Sequence, residues 1–151
     1  MDVKQLKKTV FLENQKRCDT IVHNIGDPAS RAYRVAGIYS IDNIDLHKTY
    51  IGRDYHLGEF TRLKKHQASS HNAGLRRDIG SQKYDFIVHH KHEIRDYSCT
   101  PETSRRISEL LITLEESEIR RCREAGLALY NVVDNSAGRN ILYNADQCFL
   151  I

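Results

Sequence analysis

Nowhere in the 151 residues is there a run of roughly 18 apolar residues, which excludes a helical membrane span. The opening Met1-Asp2-Val3-Lys4-Gln5-Leu6-Lys7-Lys8 carries charge with no apolar stretch behind it. A secretory signal is therefore not expected, and the chain reads as cytoplasmic. The four cysteines, Cys18, Cys99, Cys122 and Cys148, form no C-x-x-C pair, so neither a typical zinc site nor a dense disulfide scaffold is indicated. Four reduced thiols are the expectation. The eight histidines also lack metal-ligand spacing; the closest group is His89, His90 and His92, read as surface or hydrogen-bonded core residues. Internal repeats and low-complexity segments are missing too.

What is present is an ordinary globular composition. Apolar residues make up 40% and charged residues 28%, enough for one domain with a real core. The net charge of +3 and a sequence pI near 8.7 decide little. Distribution says more. From Arg62 to Arg77 stand Arg62, Lys64, Lys65, Arg76 and Arg77 with two histidines and no acid. Such a stripe suits contact with phosphates, and it equally suits a solvated helix face.

Apolar positions at Leu6, Val10, Leu12, Ile21 and Val22 predict an N-terminal helix within residues 4–24, ended by Asn24-Ile25-Gly26-Asp27-Pro28. Residues 35–41 and 48–53 are β-prone and predict a hairpin. Residues 58–70 predict a helix, with Leu57, Phe60, Leu63 and Ala68 turned inward. A third strand is expected over 84–89, with Phe86 and Val88 on one face. Thr100-Pro101 opens the clearest helix, since Thr caps and Pro suits the first turn. Ile107, Leu110, Leu111, Leu114 and Cys122 form its stripe, Gly126 stops it, and residues 129–133 predict a last short strand. The expected fold class is α/β, a small mixed or antiparallel three-stranded sheet flanked by helices.

Gly37-Ile38-Tyr39 is followed after ten residues by Tyr50-Ile51-Gly52, with Asn43 and Lys48 between. Each tripeptide alone would be an unremarkable hairpin strand. Arg62 and His66 follow at i and i+4, on one helix face; then come Asn72 and Leu75, and later Tyr130-Asn131. This series resembles the GIY-YIG nuclease superfamily, including restriction-type, homing and excision-repair members. The resemblance covers about residues 35–138. Residues 1–34 then form an N-terminal extension and 139–151 a C-terminal tail. The ten-residue gap from Gly52 to Arg62 departs from compact members, and Arg53-Asp54-Tyr55-His56 reads as a small insertion.

The resemblance implies a metal-dependent endonuclease that hydrolyses phosphodiester bonds of double-stranded DNA, with one Mg²⁺ (or Mn²⁺) and no nucleotide cofactor. Tyr39 would act as general base or water-orienting group, Tyr50 and His66 would position or relay the proton, and Arg62 would hold the scissile phosphate. Asn131 would hold a phosphate or a neighbouring side chain. A tyrosine pKa near 10 is high for base work, so Lys48 and the metal would have to lower it. For the metal carboxylate the resemblance favours Glu115. At about 100° per residue Glu118 falls nearer the middle of the apolar stripe, and Glu116 points away from it. Lys64, Lys65, His71, Asn72, Arg76 and Arg77 are the expected DNA contacts. A small restriction-type or phage- or mobile-element-encoded nuclease is favoured, for want of room for the linker or extra domains of other members. A repair nuclease, or an inactive DNA-binding protein of this fold, is the alternative. A homodimer would suit double-strand cleavage of a symmetric site.

Overall fold

A computed structural model describes residues 15–16, 19–30, 33–59 and 61–131. In chain order the strands are β1 (Gln15–Lys16), β2 (Ile21–Ile25), β3 (Arg34–Asn43) and β4 (Lys48–Asp54). A 3-10 turn (Leu57–Glu59) leads into helices α1 (Thr61–Ser69) and α2 (Ala73–Ser81). Strand β5 (Phe86–Asp96), the long helix α3 (Pro101–Glu124) and β6 (Ala128–Leu129) complete the order. Among the described residues no helix is long and apolar enough to cross a membrane.

The expected hairpin is present. β3 and β4 pair antiparallel from Gly37 opposite Asp54 to Asn43 opposite Lys48. Residues 44–47 make the turn, with the Asn43 side chain accepting the Leu46 N–H at 3.0 Å and His47 in the left-handed region at φ 53°. β3 is central, because β5 pairs antiparallel with its other edge over its whole length. That pairing explains why β5 runs to Asp96 rather than stopping at His89. Its second half is charged, yet His92, Glu93, Ile94 and Asp96 are buried by their neighbours.

Two expectations need correction. Among the described residues the sheet has six strands, not three, in the order β1-β5-β3-β4-β6 with β2 also on β5; β1, β2 and β6 add in parallel. The predicted N-terminal helix is also not what forms over residues 15–16 and 21–25. These residues pair with β5 as strands, and the remainder of the predicted helix lies outside the described residues or in turns. The physical reason is that β5 offers an unpaired edge, and β-branched Ile21 and Val22 suit a strand laid on it. Their apolar spacing did not signal burial, since both are exposed.

The sheet is covered on both faces. On one, Tyr39, Ile41, Tyr50, Phe86 and Val88 pack with Leu57, Leu63 and Leu75. On the other, Ala36, Ile38, Ile51 and Ile94 pack against Ile107, Leu111 and Cys122 of α3. Strand alternation therefore sends both tyrosines of the motif to the α1–α2 side and both isoleucines to the α3 side. α3 starts as predicted, with Thr100 and Thr103 in a capping box and Pro101 in the first turn. α1 begins at Thr61, after the 3-10 turn, and Ala68, expected inward, is exposed. α2 was not predicted as a separate helix; Asn72 caps it by accepting the Leu75 N–H at 2.9 Å. Among the described residues the last strand covers Ala128–Leu129, and residues 132–133 of the expected strand lie outside them. Phe60, Cys18, Cys148 and the tail 139–151 lie outside the described residues, while Cys99 and Cys122 are free thiols.

Candidate active site

Register places Tyr39 opposite Gly52 and Tyr50 opposite Ile41, so the two tyrosines are diagonal neighbours on one face with ring centroids 6.4 Å apart. Gly52 is required there. A Cβ on it would lie 2.5 Å from both Cζ and Oη of Tyr39, so the phenol lies directly over the glycine. Gly37 has a different reason: a Cβ would sit 2.2 Å from the His92 carbonyl oxygen and 2.5 Å from Leu57 Cδ2.

Helix α1 turns Leu63 and His66 inward, and Ser70 follows on the same side. The His66 ring is fully engaged. Its Nε2 lies 3.0 Å from Tyr39 Oη and its Nδ1 2.7 Å from Ser70 Oγ. Burial, with help from His71 and Arg62, pushes its pKa down to about 3, so the ring is neutral at physiological pH. Tyr50 packs edge-on against His66 at 4.8 Å, and its hydroxyl lies 3.2 Å from His71 Nε2. His71, expected only as a DNA contact, is thus brought into the tyrosine cluster. The residue as a whole is exposed, but its ring packs against those of Tyr50 and His66. Burial there, and then Arg62, lowers its pKa.

Tyr39 does not meet the surroundings expected of an activated base. Burial raises its pKa well above 10; Tyr50, Asp54 and Glu115 raise it further, and Arg62 opposes them. Lys48 does not supply the anticipated help. Register puts it opposite Asn43 at the far end of the hairpin, with Nζ 4.7 Å from the centroid of the Tyr130 ring. At neutral pH Tyr39 is a phenol.

Arg62 is the cation of the site. Asp54, buried at the end of β4, accepts the Arg62 N–H at 2.8 Å and the His56 N–H at 2.8 Å, which holds the start of α1 against the strand. Burial raises the Asp54 pKa, with these bonds acting against the rise. The Arg62 charge acts on Tyr39, Asp54, His66, His71 and Glu115 together. Among the described residues its guanidinium forms no salt bridge. Residues 53–56, read as a small insertion, form the end of β4 and the turn after it, and Asp54 there ties down the start of α1.

The two carboxylate candidates on α3 have different surroundings. Glu115 forms an ion pair with Arg53 through Oε1; burial raises its pKa and Arg53 opposes that rise. It is near enough to Tyr39 and Arg62 to act on both. Glu118 instead lies 2.9 Å from Arg121 and 3.4 Å from His92 Nε2. Burial raises its pKa, but those two partners outweigh it and the pKa is lowered. Glu116 is exposed. Glu115 therefore stands with Arg53 on the α3 side of the sheet, and of the two carboxylates it is the one whose charge acts on Tyr39. Among the described residues no three His, Cys, Asp or Glu side chains group to hold a metal. A Mg²⁺ ion that keeps most of its waters needs only one hard carboxylate, and a desolvated Glu115 fits that requirement.

Two predicted residues have structural duties. The Asn131 amide accepts the Ile51 N–H at 2.8 Å and donates to the Ile51 carbonyl at 2.9 Å, continuing the ladder where β6 ends. Asn72 caps α2 and donates to the Tyr130 carbonyl at 2.9 Å. Tyr130 itself donates to Asp78 at 2.6 Å and accepts from Asn43 at 3.0 Å. Lys64 and Lys65 are exposed on α1, and Arg76 and Arg77 on α2. Arg76 also donates to the Ser70 carbonyl at 3.1 Å. Sequence reasoning missed Arg53, Asp54 and Ser70. For Asp54 a signal existed, an acid shortly before a helix start; for Arg53 none did. No family model, curated protein or solved structure matches the chain.

Proposed function

We propose that this chain is a Mg²⁺-dependent endodeoxyribonuclease of GIY-YIG type that hydrolyses phosphodiester bonds in duplex DNA. The observation that carries this reading is Arg62: a half-buried cation without a salt-bridge partner among the described residues, beside neutral Tyr39, His66 and His71. A cation held in this way calls for an anion from outside, and its planar fork suits a phosphate. The exposed Lys64, Lys65, Arg76 and Arg77 extend the positive charge along α1 and α2, where a nucleic-acid backbone would lie.

The neutral Tyr39–His66 pair supports orientation of the attacking water better than attack through a tyrosinate. With His66 Nδ1–H donated to Ser70, Nε2 keeps its lone pair and accepts the Tyr39 hydroxyl. Tyr39, its hydroxyl held by His66, orients the attacking water, whose proton passes to solvent. The water oxygen bonds to phosphorus, the bond to the 3′ oxygen breaks, and that oxygen takes a proton from solvent. Arg62 holds the phosphoryl oxygens as negative charge builds on them. Bound at Glu115, Mg²⁺ would supply further neutralisation of the phosphate. A restriction-type or phage-encoded enzyme remains the favoured setting, and a dimer would bring two such sites to a symmetric target.

Incubation of supercoiled plasmid with the full chain tests the reading. Nicking or linearisation is expected with Mg²⁺ or Mn²⁺ and not with chelator, in discrete bands for a sequence-specific enzyme. Tyr39→Phe and Glu115→Ala should each lose about 100-fold or more in rate. Intact plasmid with every divalent cation would sink the proposal.

A further inference from the structure

Arg53 lies next to the glycine that accommodates Tyr39, yet the resemblance gives it no part. Register sets it opposite Ile38, on the α3 side of β4, and there it pairs with Glu115. The pair is largely withdrawn from water, with side chains 23% and 15% exposed. A carboxylate in such a place requires a positive partner, because desolvation otherwise penalises its charge. Two partners are available in the nuclease reading, the guanidinium and the metal ion. Both cannot sit on one carboxylate without strong mutual repulsion, since like charges within about 5 Å are poorly screened away from water.

We propose that Arg53 is a built-in competitor for the divalent cation at Glu115, and that this ion pair sets how much Mg²⁺ the site needs. The inference rests on the nuclease reading for the identity of the metal ligand, but its consequence is a binding property that requires no DNA. At low Mg²⁺ the carboxylate is closed by Arg53. At high Mg²⁺ the cation would take Glu115 and Arg53 would give up the carboxylate. Arg62 and Arg53 thus divide the work: the first is kept for phosphate, and the second covers the metal ligand until the ion arrives.

Mn²⁺ binding to the full chain, without DNA and at mildly alkaline pH, is the test, followed by electron paramagnetic resonance. Arg53→Gln removes the charge and should tighten binding about 10-fold or more over wild type. Arg53→Lys keeps the charge and should stay within about threefold of wild type. Glu115→Gln should abolish binding in either background. Thermal melts give a second readout that does not require the variant to match wild-type stability. About 10 mM Mg²⁺ should raise the Tm of Arg53→Gln more than that of wild type. Equal or weaker Mn²⁺ binding by Arg53→Gln, or equal Tm shifts, overturns the competition while leaving Glu115 as the metal ligand. Binding that survives Glu115→Gln also overturns it, by placing the ion elsewhere. The nuclease reading is judged separately by plasmid cleavage.

Discussion

The two faces of one hairpin do different work with alternate residues of the same tripeptides. Ile38 and Ile51 point to α3 and join Ile94, Ile107 and Leu111 in an apolar layer. Tyr39 and Tyr50 point to α1 and α2, where their hydroxyls meet His66 and His71. The α3 face is held by burial and packing, which tolerate any well-fitting apolar shape. The tyrosine face is held by directional bonds among neutral groups around one cation, which tolerate little change of chemistry. The packing and the tyrosine chemistry therefore fall largely on different faces, although the Arg53–Glu115 pair stands on the α3 side.

That separation can be broken in three ways. The largest effect is expected from Leu111→Ala, which removes a fully buried side chain from the α3 face. It should cost about 3 kcal/mol in urea unfolding, with cleavage per folded molecule unchanged. A proportionate loss of kcat in the folded fraction would show that the faces are coupled.

Next comes the pH dependence of the tyrosine face. His66 has a folded pKa of about 3 against an ordinary 6.5, so the unfolded chain binds the extra proton between those values. Its contribution is complete above pH 6.5 and is lost as pH falls towards 3. Acidification from pH 7 to 5 should therefore cost about 2 kcal/mol through this residue. His71 and His23, also depressed, add to the loss with the same sign. In His66→Gln the slope of stability between pH 7 and 5 should flatten; an unchanged slope would assign the effect to other groups.

The smallest effect sharpens the role of Asn131. Asn131→Ala removes two bonds to the Ile51 backbone and leaves that strand edge to water, at a cost of about 1 kcal/mol. If Asn131 serves only the strand edge, cleavage should fall through KM and stability together. A loss confined to kcat would instead place Asn131 at the reacting phosphate.

Much of the core was legible because local signals and tertiary demands agreed. Gly37-Ile38-Tyr39 and Tyr50-Ile51-Gly52 alternate as a buried strand must, and Thr100-Pro101 announces α3 by capping chemistry that needs no distant partner. Where the reading went wrong, the deciding partner was far away in sequence. Residues 91–96 look too charged for a central strand until β3 and β2 pair with both edges of β5. Ile21 and Val22 fit a helix or a strand, and only the edge of β5 settles which. The resemblance gave Lys48 and Asn131 their roles; in the fold the first lies over the Tyr130 ring and the second bonds the Ile51 backbone, neighbours that spacing along the chain does not announce.

By itself the sequence determined the hairpin, the sides to which its tyrosines and isoleucines turn, the start of α3, and the pairing of Arg62 with His66 on one helix. These follow from period and capping, which act over a few residues. Only the tertiary structure decided that Glu115 pairs with Arg53 while Glu118 pairs with Arg121 and His92. It also decided that Tyr39 is a buried phenol and not a readily ionised one. Those outcomes depend on burial and on charges brought together from distant segments. Desolvation and Coulomb energy are set by distance in space, which spacing along the chain does not encode.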